Sequence, residues 1–359
     1  MRLGIFGGGG DLVRQYCGAF LVALLVSWLI TPWYRRLAWK SGIVDKPNAR
    51  RVNEVPVPTG GGLVIIAAFW AAILLTGAQH PALPGLAIGS LIIGITGWVD
   101  DRWELRPRVK LLGQILAALA VVGNGTIIHF ATNPLGGMIY LGWLGAPLTI
   151  LWIVAVINMF NFIDGLDGLA AGVAVIACMP LFSVAHELGY EFVALLLLTL
   201  AGSTLGFLRY NFNPASLFMG DTGAMFLGFM LGALSVEGTL KGAATVALAV
   251  PILILGLPII DTVFSIVRRC RNGVPVYQAD RGHLHHRLLD LGLSQRQAVL
   301  LLYGWALAFG SLGILLVQAP PALATFLVLV VLVIIISLAS RWGWIGAGKD
   351  NQEQGKHFL

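Results

Sequence analysis

Four stretches of this chain run for at least about 20 residues without a charged side chain: 15–34, 55–99, 111–163 and 297–340. A helix needs about 20 apolar residues to cross a bilayer. The first stretch therefore reads as one span, and each of the three longer ones as a pair folded back on itself. Turn-forming text sits near the middle of each long stretch: GAQHPALPG (77–85), NGTIIHFATNPLGG (124–137) and QAPPA (318–322). Single spans fit 168–186, 191–208, 222–236 and 242–267. The pattern predicts an all-α, polytopic integral membrane protein of about eleven transmembrane helices, with ten as the alternative, in one domain over 1–359. Pro251 and Pro258 predict a bend in the ninth span.

Composition agrees. Charged residues make up 11% of the chain, against roughly 25% in soluble domains. The first span reads as a retained helix and not a cleaved leader, because TPWYRR follows it with no small-residue cleavage pattern. Three scattered cysteines, Cys17, Cys178 and Cys270, make neither a disulfide framework nor a zinc knuckle.

The net charge is +6, and its distribution carries more than its sum. With the N-terminus outside, the inside segments are 35–60, 100–110, 158–167, 209–221, 268–296 and the C-terminal tail. All of the 23 Lys and Arg residues fall there except Arg2, Arg14 and Lys241. This positive-inside bias places those segments in the cytoplasm and leaves no basic excess that calls for nucleic acid. The same inside segments collect most of the acids, amides and histidines, so the chemistry is expected at the cytoplasmic face.

Four loops carry that chemistry. VDDRWELRPRVKLLGQ (99–114) places Asp100 and Asp101 at the end of one span and Lys110 at the start of the next. Two adjacent acids repel, which raises one of them toward a proton acceptor; as a bland alternative they are interfacial acids balanced by Arg102, Arg106 and Arg108. NMFNFIDGLDGLA (158–170) spaces Asn158, Asn161, Asp164 and Asp167 three apart, with glycines after both acids. Nine residues of α-helix turn about 900°, so Asn158 and Asp167 would face opposite ways unless the helix tightens or breaks at Gly165 and Gly168. One of the acids also suits a helix N-cap. YNFNPASLFMGDTGAMFLG (210–228) sets Asp221 at the mouth of a span, as an N-cap or as an oxygen ligand for a hard ion such as Mg²⁺. DRGHLHHRLLDLG (280–292) groups His283, His285 and His286 with Arg281 and Arg287, a set suited to hydrogen-bonding phosphate or sugar better than to zinc. Acids for a divalent ion, a base and a basic rim on one side are the equipment of phosphoryl transfer, and access from the membrane points to a lipid phosphate.

These motifs, together with DKPNARRVNEVPVPTGGG (45–62), resemble the polyprenyl-phosphate N-acetylhexosaminyl-1-phosphate transferases. They run in family order from about Asp45 to Gln297. The resemblance implies that undecaprenyl phosphate attacks the β-phosphate of a UDP-amino sugar, releasing UMP. It implies Asp221 as the Mg²⁺ ligand (Mn²⁺ as the alternative ion) with Asn161 as a second. It implies Asp100 and Asp101 at the lipid phosphate, and Asp164 and Asp167 near metal and nucleotide. Asn211 and Phe218 match uracil contacts, and His283, Arg281, His285 and His286 match the diphosphate-sugar side. Lys110 matches a lipid-phosphate contact, and a homodimer is the family expectation. GHLHH resembles the UDP-GlcNAc branch, which makes GlcNAc-1-phosphate the expected group transferred; UDP-MurNAc-pentapeptide is the alternative donor. Asn53 and Ala224 depart from that branch, where histidine and serine are usual. From a different class, an ion-coupled transporter would use an intramembrane acid such as Asp261, but transporters place such groups near the midplane and often carry an internal repeat. Asp261 is read instead as a structural partner of Arg268 or another cytoplasmic base.

Overall fold

The computed structural model describes residues 9–45, 55–132, 138–240, 249–271, 273 and 282–317, with isolated positions between 319 and 337. Two of the long uncharged stretches, 55–99 and 111–163, are helical and turn back where the turn-forming text lies, while the QAPPA turn and return arm expected in 297–340 fall largely outside the described residues. In 55–99, α2 (Gly62–Thr76) ends at Gly77, whose left-handed backbone (φ 65°) caps it, and α3 (Leu83–Trp103) returns. In 111–163, α4 (Pro107–Gly123) and α5 (Gly145–Ile163) are the two arms. Their connection holds a two-stranded hairpin, β3 (Phe130–Thr132) with β4 (Met138–Tyr140), in which Ala131 faces Ile139. Apolar and aromatic β-formers on both sides of a sequence rich in Pro and Gly favour such a hairpin.

Around these lie α1 (Gly9–Lys40), α6 (Leu169–Glu187), α7 (Glu191–Asn211), α8 (Gly220–Ser235), α9 (Ala249–Ile254), α10 (Gly256–Arg271), α11 (Leu284–Asp290) and α12 (Gln295–Val317). The ninth predicted span is broken between α9 and α10, as its prolines lead one to expect. Leu255 N still donates to Pro251 and Ile259 N to Leu255, but Pro258 has no N–H to give and its ring crowds the carbonyl four residues back.

Among the described residues, six helical segments are long and apolar enough to cross a membrane: Gly10–Lys40, Leu83–Trp103, Gly142–Ile163, Leu169–Glu187, Glu191–Asn211 and Gln295–Val317. The chain is an all-α, multi-pass membrane protein. The 15 residues of α2 reach only about 22 Å at 1.5 Å per residue, short of a hydrocarbon core of about 30 Å.

Lipid is as apolar as leucine, so packing here depends on close contact more than on the hydrophobic effect. α8 is the centre: every residue from Thr222 to Ser235 is buried, with α3 and α5 packed along it. Glycines permit the approach. A Cβ on Gly62 would run into the backbone of Gly223, one on Gly97 into Thr222, and one on Gly228 into Ile157. Past Ser235 the helix widens into a π-helical turn (Val236–Leu240) where buried Glu237 accepts from Thr126 Oγ1 at 2.5 Å.

Candidate active site

The site forms where the C-terminal ends of α3 and α5 meet the N-terminal ends of α4 and α8. α3 ends with Glu104 in the left-handed region (φ 48°), its N–H on Asp100 O. Asp100 Oδ1 accepts from Leu105 N at 2.7 Å, which closes the corner. Lys110, in the first turns of α4, then comes back to Asp100 Oδ2 at 2.7 Å and reaches Asp221 Oδ1 at 2.9 Å. Asn161, near the end of α5, donates its side-chain amide to the same Asp221 oxygen. Residues 100, 110, 161 and 221 thus form one connected cluster.

Asp101 has a different task. Its Oδ1 accepts from Asp221 N at 2.7 Å, and its Oδ2 from Thr222 N at 3.2 Å and Thr222 Oγ1 at 2.6 Å. A carboxylate on the free N–H groups of a first turn is a cap, here supplied by another helix. Gly220 permits it, since a Cβ there would meet the Asp101 carboxylate. Asp101 therefore fixes where Asp221 stands.

A second fixture comes from the amino-terminal side. β1 (Val44–Asp45) pairs antiparallel with β2 (Val57–Pro58). β2 and the chain following it are tied to the approach to α8: Phe218 N donates to Pro58 O (2.8 Å), Gly61 N to Phe218 O (3.0 Å) and Gly62 N to Met219 O (2.9 Å). Phe218 is thereby held half-buried at the mouth of α8. Asn211 is buried and donates to Leu217 O at 3.1 Å, while its Oδ1 has no hydrogen-bond partner.

The helix break expected at the glycines is present. α5 stops at Ile163, Asp164 to Gly168 form a turn with Gly168 at φ 77°, and α6 begins at Leu169. Asp164 sits in this turn. Burial, then the nearby charges of Asp221, Asp101 and Asp167, push its carboxyl well above the usual range. Asp167 points its Oδ2 elsewhere, to Asn213 Nδ2 at 3.0 Å and Ala215 N at 2.9 Å, and Asn213 continues to Gln295 at 2.7 Å. It shapes the 212–219 loop. Asn158 is bonded to Gln114 at 2.7 Å and to Val154 O, and stands apart from the acid cluster.

The histidines join from α11. His283 is buried, with its ring 5.9 Å from Phe162, the neighbour of Asn161, and 5.7 Å from His285. His285 is buried against Gly165, where a Cβ would meet its ring. Burial first, then His286, pushes its imidazole down to about 3, so it is neutral at pH 7. His286 is half-buried, 4.3 Å from His285. Arg281 and Asn53 lie outside the described residues.

Among the described residues no group of three or more His, Cys, Asp or Glu is arranged to hold a metal unaided. The ligand atoms that do converge are hard: carboxylate oxygens of Asp100 and Asp221, with a lysine cation already between the acids and the Asn161 amide donating to Asp221 through its nitrogen, its oxygen left as the atom that could ligate. That set fits Mg²⁺, which takes one or two carboxylates and fills its shell with water and phosphate.

A family model described as glycosyl transferase family 4 matches residues 83–239. A protein named as a probable undecaprenyl-phosphate N-acetylglucosaminyl 1-phosphate transferase, from Bacillus subtilis (strain 168), is 40% identical over 329 residues, which is 91% of this chain and 92% of that protein. The chain belongs to this family. The resemblance to polyprenyl-phosphate N-acetylhexosaminyl-1-phosphate transferases read from its motifs is borne out. A decaprenyl-phosphate N-acetylglucosaminephosphotransferase of Mycolicibacterium smegmatis is 36% identical over 365 residues, covering 92% of this chain and 90% of the relative. A phospho-N-acetylmuramoyl-pentapeptide-transferase of Desulforudis audaxviator is further off, at 29% over 328 residues, or 82% of this chain and 95% of the relative.

For a glycosyl transferase family 4 chain, sequence reasoning missed three supporting residues. Thr222 completes the Asp101 cap. Gln114 occupies Asn158. Arg269, buried on α10, places its guanidinium 5.8 Å from the Phe162 ring centre. The first lay in view as the residue after Asp221. The other two sit inside or beside apolar runs, with no local mark of their partners.

Proposed function

We propose that the protein transfers GlcNAc-1-phosphate from UDP-GlcNAc to undecaprenyl phosphate, releasing UMP and leaving a polyprenyl-diphospho-sugar. The observation that carries this reading is the bridge of Lys110 between Asp100 and Asp221, with Asn161 on the same oxygen. It sets one cation and a hard-ligand cluster at the end of a helix bundle, an arrangement that suits a phosphate group. The names of the relatives support the acceptor class and the sugar.

In this mechanism an oxygen of the lipid phosphate attacks the β-phosphorus of the donor. The bond to the bridging oxygen breaks, and UMP departs with that electron pair. Alignment and charge neutralisation dominate such a step, because one phosphoanhydride replaces another. Asp221 and Asn161 would hold Mg²⁺, which supplies charge neutralisation for the diphosphate when bound. Lys110 orients the lipid phosphate, and Asp100, already committed to Leu105 N and Lys110, keeps that lysine in place. Asp101 acts through the α8 cap and Asp167 through the 212–219 loop. Asn211 Oδ1 and Phe218 offer the uracil an acceptor and an aromatic surface. His283 would face the sugar diphosphate, with His285 and His286 beside it; Arg281 belongs to the same motif of the sequence. An orientation with the N-terminus outside, eleven spans and the site at the cytoplasmic face of the inner membrane completes the proposal.

The deciding experiment gives the purified protein undecaprenyl phosphate with UDP-GlcNAc, UDP-GalNAc or UDP-MurNAc-pentapeptide in parallel. UMP release with UDP-GlcNAc is expected. Release with the pentapeptide donor alone would transfer the chain to the other branch, and release with none would end the proposal.

The lysine gives a further prediction. Lys110→Met leaves Asp100 and Asp221 with no cation between them, so a divalent ion should bind more strongly. Mn²⁺ affinity, followed by the electron-spin signal of the free ion, is expected to rise about tenfold, equivalent to about 1.4 kcal/mol. Unchanged or weaker binding would mean that the ammonium and the ion do not share these ligands.

A further inference from the structure

One buried acid is left out of this scheme. Asp261 lies on α10, is 2% exposed, and makes no contact with the Asp100–Asp221 cluster in any hydrogen bond or ion pair of the described residues. Its sequence suggests a partner in Arg268, two turns further along the same helix. The structure pairs it differently. Asp261 Oδ2 lies 2.7 Å from His283 Nδ1, and Asp261 Oδ1 accepts from Leu284 N at 2.7 Å. Arg268 instead donates to Ser265 Oγ at 3.1 Å and packs its guanidinium against Gly282, where a Cβ would collide with it.

Asp261, Ser265 and Arg268 are spaced i, i+4, i+7, so they form a stripe along one helix face. All three are buried. Together they grip three consecutive residues: Arg268 at Gly282, Ser265 at His283 Nδ1 (3.3 Å), and Asp261 at His283 and Leu284. Phe162 closes the other side of the His283 ring at 5.9 Å. The hydrogen bonds that the His283 ring makes among the described residues are all at Nδ1. A carboxylate on Nδ1 holds the proton there and leaves the opposite nitrogen, Nε2, to do chemistry.

We infer that Asp261 is a positioning residue of the transfer reaction: it fixes the tautomer and orientation of His283, so that Nε2 is the ring nitrogen presented to the phosphates of the donor. The inference rests on the function proposed above. A buried acid serving as a mere structural anchor would hold α11 in place without caring which histidine nitrogen carries hydrogen. An acid that moves protons across the membrane would not spend both its oxygens on the segment that carries the histidine.

The test uses the full-length protein in detergent. Asp261→Asn should lower kcat for UMP release about 100-fold while KM for UDP-GlcNAc changes by less than about twofold, the range that loss of an orienting partner to a functional histidine produces. In a His283→Ala background the same substitution should cost nothing further. Asp261→Glu, which keeps a carboxylate, should hold kcat within about tenfold of wild type. Nitrogen NMR of ¹⁵N-histidine-labelled protein should show His283 protonated at Nδ1 in the wild type and lose that signature in Asp261→Asn. Unchanged kcat in Asp261→Asn overturns the inference, as do losses that multiply in the double variant, a loss in Asp261→Glu as deep as in Asn, or a wild-type His283 protonated only at Nε2. The NMR arm needs no donor. If the wild type releases no UMP, the proposed function fails while the hold of Asp261 on His283 is still decided.

Discussion

Asp221→Ala is expected to lower UMP release by at least about 10³-fold, the size of loss seen when a single electrostatic contact to reacting groups is removed. Asp221 is the point at which Lys110 and Asn161 meet, and no other acid makes both contacts among the described residues. The variant should still fold. The first turn of α8 is capped by Asp101 through the backbone N–H groups of residues 221 and 222, and these do not depend on the Asp221 side chain. A thermal melt close to wild type, with the activity gone, is therefore the anticipated pair of results. Turnover within tenfold of wild type would remove Asp221 from the site.

The second large effect comes from a residue with no side chain. Gly62 opens α2 with its N–H on Met219 O, and a Cβ at this position would overlap the N and Cα atoms of Gly223. Both sides of the contact are backbone, so no side chain can swing away. Gly62→Ala must push α2 from α8. Overpacking of this kind costs about 1–3 kcal/mol, with more expected where backbone must move. Because Gly223 lies two residues past Asp221, the displacement should also reach the acid cluster. A clear fall in melting temperature and a drop in UMP release of about tenfold or more, in the range produced by misplacing catalytic groups, are expected together. Gly304→Ala is the control: nothing lies within 4 Å of a Cβ there, and it should be neutral. Equal behaviour of the two variants would refute the close-contact account.

Much of the membrane architecture was legible because uncharged runs and turn-forming text are local signals. The two arms of 55–99 and of 111–163, and the break at Pro258, followed from residues close in the chain. α1 was underestimated: it continues past Tyr34 through Arg35, Arg36 and Lys40, since charge ends a membrane span without ending a helix. The site was legible as a set of residues and not as a division of labour. Asp100 and Asp101 are equivalent in the sequence, yet consecutive residues on a helix point about 100° apart, so one faces Lys110 and the other the start of α8. Asn158 and Asn161 share a spacing that suggests a shared task, but Asn158 meets Gln114 while Asn161 meets Asp221. The pairing of Asp261 with His283 joins residues 22 apart. No local pattern announces it, although the polar stripe on α10 is visible once that helix is drawn.

The burial of α8 on all sides sets how this chain can change. Outward flanks, such as Leu148 and Leu151 on α5 or Leu307 and Leu315 on α12, face away from the protein. There one greasy residue can replace another, because only the surrounding hydrocarbon reads them. No residue between Thr222 and Ser235 has that freedom. Each must satisfy neighbours on every side at once, and any drift in its volume is transmitted along a rigid rod to the acid at its tip. Mutational tolerance should therefore fall from the rim of the bundle to this single rod, and variants that alter turnover without touching a reacting group should concentrate along it.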